Sequence, residues 1–265
     1  MQNITFENIH VSGKVILEND FFRQVHFEEM LNQYDSNFIE FKRMPTLEQF
    51  QEKADYLREF HDKYGQEHIR FYFPPNEKPS GDLQQYMEDG GFQTGFLELY
   101  AIEPSKFKGK DTADIEVKEV SEEDLHIYLQ LQYDEDSSYG VNYAESKREF
   151  NRKQFDTPAL QQILAFYKGE PAGYTDIIIG AKTVEIDNLA VIEKLQKKGA
   201  GSKIQRFVME SFPDKTVILV ADGDDTAKEM YKKQNYQYLG FRYDTLKLFP
   251  IKENGKEYEP GTLKI

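Results

Sequence analysis

Val184-Glu185-Ile186-Asp187-Asn188-Leu189-Ala190-Val191 and, just beyond it, Gln196-Lys197-Lys198-Gly199-Ala200-Gly201 are the residues on which the fold turns. The first stretch reads as a strand and the second as a turn that can cradle a phosphate. Gly199 and Gly201 can take positive φ and let a backbone come close to a ligand. After them, Ser202 to Glu210 has helical spacing at Ile204, Phe207 and Val208. A helix that starts in this turn presents unpaired backbone N–H groups and the positive end of its dipole, which together suit a pyrophosphate. Lys197 and Lys198 add positive charge.

A dinucleotide-binding Rossmann turn needs Gly-x-Gly-x-x-Gly between strand and helix. Here the third position is Ile204, and Ile192-Glu193-Lys194-Leu195 separates strand from turn, so that reading is set aside. An ordinary strand-to-helix turn with surface lysines is the plainer alternative while the turn is taken alone. The downstream residues give it company. Thr216 to Ala221 is a buried-strand candidate, Asp222-Gly223 breaks it, and Asp224 is suited to N-cap a helix from Asp225 to about Gln234. That helix carries Ala227 and Tyr231, and Asn235-Tyr236 ends it before a strand region from Tyr238 to Phe249.

With these residues in view, the chain from about Ile115 to Phe249 resembles the GNAT superfamily of acetyltransferases. The family signature, Gln/Arg-x-x-Gly-x-Gly/Ala after a strand, is matched from Gln196 to Gly201. A second element, Ala-x-x-x-Tyr followed by Gly-Phe, appears as Ala227 to Tyr231 and then Asn235-Tyr236. Asn replaces Gly there, and Asn tolerates the left-handed conformation of a helix end; Tyr236 is placed to fill the Phe pocket. Asp224 stands where the family often has Asn, which puts one side-chain contact to the cofactor in question.

The resemblance implies a GNAT-like α/β fold that binds acetyl-CoA as co-substrate without a metal. Leu189, Ala190 and Val191 would line the pantetheine arm, with Leu189 and Val191 pairing to it by their backbone where the strand splays from its neighbour. The amides of Lys197, Lys198, Gly199, Ala200, Gly201 and Ser202 would hold the pyrophosphate, with Gln196, Asp224 and Ala227 completing the cofactor side. Aminolysis of a thioester needs a neutral amine, a route for its proton and a donor for the departing thiolate. Glu185 stands where some family members carry a proton-accepting carboxylate. Asp187 shares its face under simple alternation and is a second candidate. Tyr231 matches the family's general-acid tyrosine. Set against these roles are a solvated strand face for the two carboxylates and a packed helix tyrosine for Tyr231.

Ahead of the signature, Ile115 to Val120 reads as an alternating strand, and Ser121-Glu122-Glu123-Asp124 as a capping-box start to a helix through about Tyr133. Asp134 to Tyr143 reads as a polar, aromatic loop before a charged helix from Ala144 to about Gln154. Gln162 to Tyr167 and Ala172 to Ile179 form a hairpin about Lys168-Gly169-Glu170-Pro171. In GNAT enzymes the region between the first two helices shapes the acceptor pocket. Tyr133, Asp134, Glu135, Asp136, Tyr139 and Tyr143 therefore suggest a cationic amine, with a solvated acidic loop as the plainer reading.

The first hundred residues repeat the order of the later ones. Thr46 to Tyr64 is an amphipathic helix with Leu47, Phe50, Ala54, Leu57, Phe60 and Tyr64 on one face. Ile69 to Phe73 is a strand, Gly81 to Asp89 a second helix, Gly90-Gly91-Phe92 a terminator and Phe96 to Ile102 a further strand. Met87 falls in the place of Tyr231, and Phe92 in that of Tyr236. Where a pyrophosphate turn belongs stands Phe41-Lys42-Arg43-Met44-Pro45, without glycine. The expectation is two domains: 1–108, a truncated, degenerate GNAT-like copy that does not bind acetyl-CoA, and 109–265, the acetyl-CoA-binding domain. An unrelated small α+β domain is the alternative for the first, and Glu103 to Lys110 is the linker candidate.

Composition narrows the classes. The formal net charge is −14 at pH 7, which argues against general nucleic-acid binding. The absence of cysteine excludes disulfides, a cysteine nucleophile and thiolate metal sites. His10, His26, His61, His68 and His126 lack ligand spacing, and Asp222-Gly223-Asp224-Asp225 lacks the spacing of a calcium loop. No stretch resembles a signal peptide or a transmembrane span, so a soluble cytoplasmic protein, monomer or dimer, is expected. The expected activity is acetyl transfer from acetyl-CoA to a small-molecule or peptide primary amine. A CoA-binding or protein-interaction module without turnover, and a different acyl donor, stand as alternatives.

Overall fold

The apolar periodicities of the chain resolve into a mixed α/β architecture. The computed structural model describes residues 4–109, 112–224, 227–253 and 256–258. Its contacts divide into two compact units. One comprises residues 11–98, 222–224 and 240–265; the other comprises 1–10, 99–221 and 225–239.

The unit built on residues 11–98 contains β1 (Lys14–Glu18), β2 (Phe22–His26), β3 (Phe38–Phe41), α1 (Leu47–Lys63), β4 (His68–Tyr72), α2 (Gly81–Asp89) and the start of β5 (Gln93–Ile102). Helix α1 begins where Thr46 accepts from the Gln49 N–H and the Gln49 side chain returns the bond to Thr46, a reciprocal capping box. Its apolar face then buries Phe50, Ala54 and Leu57 against Phe41, Phe71, Leu83, Met87 and Phe92. Burying a side chain the size of Phe50 or Leu57 stabilises by roughly 1.5–3 kcal/mol. Strands β3 and β4, on either side of α1, pair in parallel through Ile39↔Phe71 and Glu40↔Tyr72. Helix α2 ends as its glycines predict: Gly91 takes φ 71° and the Phe92 N–H returns to the Met87 carbonyl at 2.9 Å.

The second unit continues with β6 (Ile115–Glu119), α3 (Leu125–Asp136), α4 (Val141–Gln154), β7 (Leu160–Tyr167), β8 (Glu170–Ile179), β9 (Thr183–Val191), α5 (Ala200–Ser211), β10 (Thr216–Asp222), α6 (Ala227–Lys233) and β11 (Gln237–Leu248). Within it the strands run in the order β6-β7-β8-β9-β10, followed by the end of β5. Strands β6 to β9 are antiparallel neighbours, and β9 and β10 are parallel. Strand β5 begins in the first unit and ends in this one, while β11 does the reverse.

The hairpin between β7 and β8 turns at Lys168 and Gly169, both with positive φ. The expected loop from Asp134 to Tyr143 is mostly helical instead. Helix α3 runs on to Asp136, a 3₁₀ turn covers Ser137–Tyr139, and Gly140, at φ 111°, breaks the path before α4. Gln130 and Asp134 bond across one helical turn, which supports this extension. Among the described residues no helix is long and apolar enough to cross a membrane.

Candidate active site

Strand β9 and the turn after it organise the site. Its parallel pairing with β10 covers only Thr183↔Thr216, Val184↔Val217 and Glu185↔Ile218. Beyond Glu185 both strands continue without pairing to each other, so their backbones part. The cause lies on the other edge. Between Tyr174↔Ala190 and Asp176↔Asp187, β9 holds one residue more than β8, a β-bulge centred on Asn188, whose φ is 50°. A bulge bends its strand and raises the local twist. Asn is among the few side chains that tolerate this backbone. The Thr175 hydroxyl pins the bulge by donating to the Asp187 carbonyl at 2.7 Å.

After the bulge the backbone is extended again, and the Ile192 N–H donates to the Ala172 carbonyl on the β8 side. Successive residues of a strand aim their polar groups to alternate sides. By that alternation, Leu189 and Val191 face the parted edge. Leu189, Ala190 and Val191 are all partly buried.

A 3₁₀ turn, Glu193–Leu195, anchored by buried Leu195, leads to the glycine turn. Gln196, Lys197 and Lys198 are exposed, and Lys197 takes φ 63°. Gly199 has φ 103° and caps α5 without a side-chain bond to the helix end. A Cβ on Gly199 would lie 2.8 Å from the Thr112 hydroxyl, so the position requires glycine twice over. Gly201 departs from expectation. It does not take positive φ but lies in the first turn of α5, where its bare Cα faces Val191 across ordinary contact distance. The helix starts at Ala200, and its first turn offers N–H groups without intrahelical partners.

Of the two acidic candidates on β9, Glu185 is buried and Asp187 exposed. Burial, and then the charge of Asp187, push the Glu185 carboxyl up to about 8. Its Oε2 accepts the main-chain N–H of His10 at 2.8 Å, which favours the ionised form. His10, at the far start of the chain, carries no motif by which sequence reasoning could find it.

Tyr231 is buried in α6, its ring 5.1 Å from that of Tyr100 and 5.5 Å from that of Tyr236. The helix ends as the Asn substitution requires: Asn235 takes φ 74°, and the Tyr236 N–H returns to the Tyr231 carbonyl at 3.0 Å. Tyr236 is buried in the same core. Asp224 is exposed, with its N–H bonded to the Asp222 carboxylate. Residues 225–226 and the Ala227 side chain, to which the rest of that motif falls, lie outside the described residues.

Around the first helices the acidic and aromatic residues sort into two groups. Tyr133 lies under the Arg148 guanidinium at 4.8 Å, and Asp134 is exposed. Glu135 accepts from the Tyr174 hydroxyl at 2.8 Å. Burial raises the Asp136 carboxyl to about 6, with Lys147 opposing and Glu135 adding to the shift. Tyr139 and Tyr143 meet edge to face at 6.0 Å. Asp176 on β8, absent from the sequence-based candidates, is also raised to about 6 by burial, against hydrogen bonds from Tyr128 and Gln132. It is coupled electrostatically to Asp187. Among the described residues no group of three or more His, Cys, Asp or Glu has the geometry to hold a metal ion.

The model of the acetyltransferase (GNAT) family matches residues 124–236, which contain the strand, the glycine turn and Tyr231. Residues 124–236 form a GNAT domain. A further model, described as a domain of unknown function (DUF5613), matches residues 4–100 of this chain. The chain is 35% identical to a functionally unknown conserved protein from Staphylococcus epidermidis, across 93% of this chain and 98% of that one, with a TM-score of 0.87. Two more distant structures share the fold. A GCN5-related N-acetyltransferase from Kribbella flavida has 13% identity, a TM-score of 0.59 and coverage of 88% of this chain and 89% of its own. A tandem GNAT protein from the clavulanic acid biosynthesis pathway has 10% identity, a TM-score of 0.53 and coverage of 86% and 78%. Coverage this broad extends the likeness in fold to the N-terminal half. A search of the curated proteins gives no match.

Proposed function

We propose that this chain is an N-acetyltransferase that moves an acetyl group from acetyl-CoA to a primary amine. The observation that carries the reading is the end of β9–β10 pairing at Glu185, together with a helix whose N-cap, Gly199, is left-handed and makes no side-chain bond to the helix end. The parted edge at Leu189 and Val191 suits an amide-bearing arm. The N–H groups from Lys197 to Ser202, with Gly199 at positive φ, suit a pyrophosphate. The bound co-substrate supplies an activated thioester carbonyl.

The chain's own groups then manage the protons. Glu185, ionising near pH 8, takes the proton that the amine nitrogen releases as it bonds to the carbonyl carbon. Tyr231 gives its phenolic proton to the sulfur as the C–S bond breaks. Glu135, Asp136 and Asp187 bias the acceptor side towards a cationic amine. The N-terminal half, lacking the glycine turn, binds no acetyl-CoA.

Burial of Tyr231 between Tyr100 and Tyr236 favours one other reading, a CoA-binding module without turnover. Thiol release, measured across a panel of amines with wild type and Glu185→Gln, separates the two. Turnover that favours cationic amines and falls at least tenfold in the variant is expected. Acetyl-CoA binding with no turnover on any amine would establish the module instead, and a preference for neutral or acidic amines would remove the cationic acceptor.

A further inference from the structure

Residues 4–10 lie in the match to the domain of unknown function, yet they pack with the acetyltransferase unit. They form a small built structure. Thr5 and Asn8 close a capping box around a single 3₁₀ turn, Phe6–Asn8, and Phe6 is buried to 4% exposure. Ile9 then leaves the turn extended and delivers His10 to β9. The His10 main-chain N–H donates to Glu185 Oε2 at 2.8 Å.

Glu185 lies between apolar neighbours on the adjoining strands. Opposite it in register stand Ile178 on β8 and Ile218 on β10, both apolar. Asp187, on its own strand, disfavours its charge. The N–H of His10 favours that charge, while burial lowers the affinity of the His10 ring for a proton, against the pull of Asp187. A carboxylate buried among apolar neighbours and beside a like charge can ionise near neutral pH only if a donor holds it.

We propose that His10 is a positioning residue: its main-chain N–H fixes Glu185 and supports the ionised form, so the N-terminal segment completes the acetyltransferase site. This rests on Glu185 as the proton acceptor of the proposed reaction. It gives the first residues of the domain of unknown function a task that belongs to the other unit.

The test separates the N–H from the imidazole. Proline has no N–H, and the extended conformation of Ile9, ψ 134°, is one that a following proline accepts. The Glu185 titration is read by carbon NMR on glutamate-labelled full-length protein, with Glu185→Gln giving the assignment. His10→Pro should raise the Glu185 midpoint by about one pH unit, the order expected for a lost hydrogen bond to a charged group. His10→Ala, which keeps the N–H, should leave it within a few tenths. The acid limb of the rate profile should follow the same order. Should His10→Pro fail to fold, Phe6→Ala, which frees the segment from its anchor, should move the midpoint in the same direction by a smaller amount.

An unchanged midpoint in His10→Pro, or in Phe6→Ala where that variant stands in, overturns the proposal, as does an equal shift in His10→Ala. The NMR reading does not depend on turnover. A shifted midpoint in a chain that acetylates nothing would retire the proposed reaction and leave the positioning contact standing.

Discussion

Helices α1 and α5 each connect two parallel strands, β3 to β4 and β9 to β10, and they treat their first turns in opposite ways. At α1 the chain satisfies its own donors: Pro45 precedes the helix, and Thr46 and Gln49 exchange bonds across the first turn. At α5 the cap is Gly199, with a left-handed backbone and no side chain to offer. The strands differ in the same sense. Strand β3 is four residues long, whereas β9 carries a bulge and outruns its pairing with β10 by six residues. Further along, the two halves converge again. Helices α2 and α6 end with the same bond, Phe92 to Met87 and Tyr236 to Tyr231, around a left-handed Gly91 or Asn235. One architecture thus serves twice, and the difference between a closed and an open helix end is a matter of one or two residues.

The largest effect should come from closing the open end. Gly199→Val forces a branched side chain onto φ 103° and against Thr112. It should weaken acetyl-CoA binding at least a hundredfold by calorimetry. The converse change, Thr46→Gly, uncaps α1 and should create no second site.

Of comparable size is Tyr231→Phe. The matching place in α2 is Met87, which can donate no proton. If Tyr231 is the acid, kcat should fall roughly 10²–10⁴-fold, the usual worth of general acid catalysis, with acetyl-CoA affinity unchanged. An unaltered kcat would reduce Tyr231 to the packing role of Met87.

The two units should also respond to pH with opposite sign. In the unit that holds the GNAT domain, Asp136, Asp176 and Glu185 hold their protons more tightly than in an unfolded chain, to about 6, 6 and 8. Their contribution is greatest in acid and is lost as pH rises from about 4 towards 8. In the N-terminal unit, buried His26, His61 and His68 bind protons more weakly than usual, His61 only near 4, because burial disfavours the charged ring. These histidines should cost that unit stability as pH falls below about 6.5, a trend opposed by Glu67 and Asp244, whose carboxyls burial raises. Each proton of difference is worth about 1.4 kcal/mol per pH unit. Hydrogen exchange at pH 5.5 and 8.5 should show protection moving in opposite directions in the two units, and parallel movement would contradict these shifts.

The smallest effects lie at the paired helix ends. Gly91→Ala meets no atom within 4 Å but must hold φ 71°, a cost of about 1–2 kcal/mol. Asn235→Gly relieves the same backbone and loses the Asn235 bond to the Lys106 carbonyl, so its net change should stay within about 0.5 kcal/mol. Thermal melts of both variants check the asymmetry.

What was legible in the sequence follows from which signals are local. Helix α1, the glycine turn, the hairpin at Lys168-Gly169 and the Asn235 helix end each depend on a few adjacent residues, and each formed as their chemistry required. The bulge at Asn188 was hidden, because a single left-handed residue inside a strand leaves no periodic trace, although an Asn there is a fair hint. Polar composition suggested a loop at Asp134–Tyr143, yet three acidic residues can close a helix whose earlier turns are buried through Tyr128 and Leu129. The glycine spacing points Gly201 to the turn, whereas its freedom from a side chain serves the first helical turn beside Val191. His10 and Asp176 depend on contacts made across long stretches of chain, and no local pattern announces such contacts.

The central claim is that one helix end in this chain is open to acetyl-CoA and its counterpart is closed. Calorimetric titration of the full chain with acetyl-CoA tests it most directly, because stoichiometry is read together with affinity. The account predicts one site per chain, lost in Gly199→Val. Two sites, or a single site that survives that change, would contradict it.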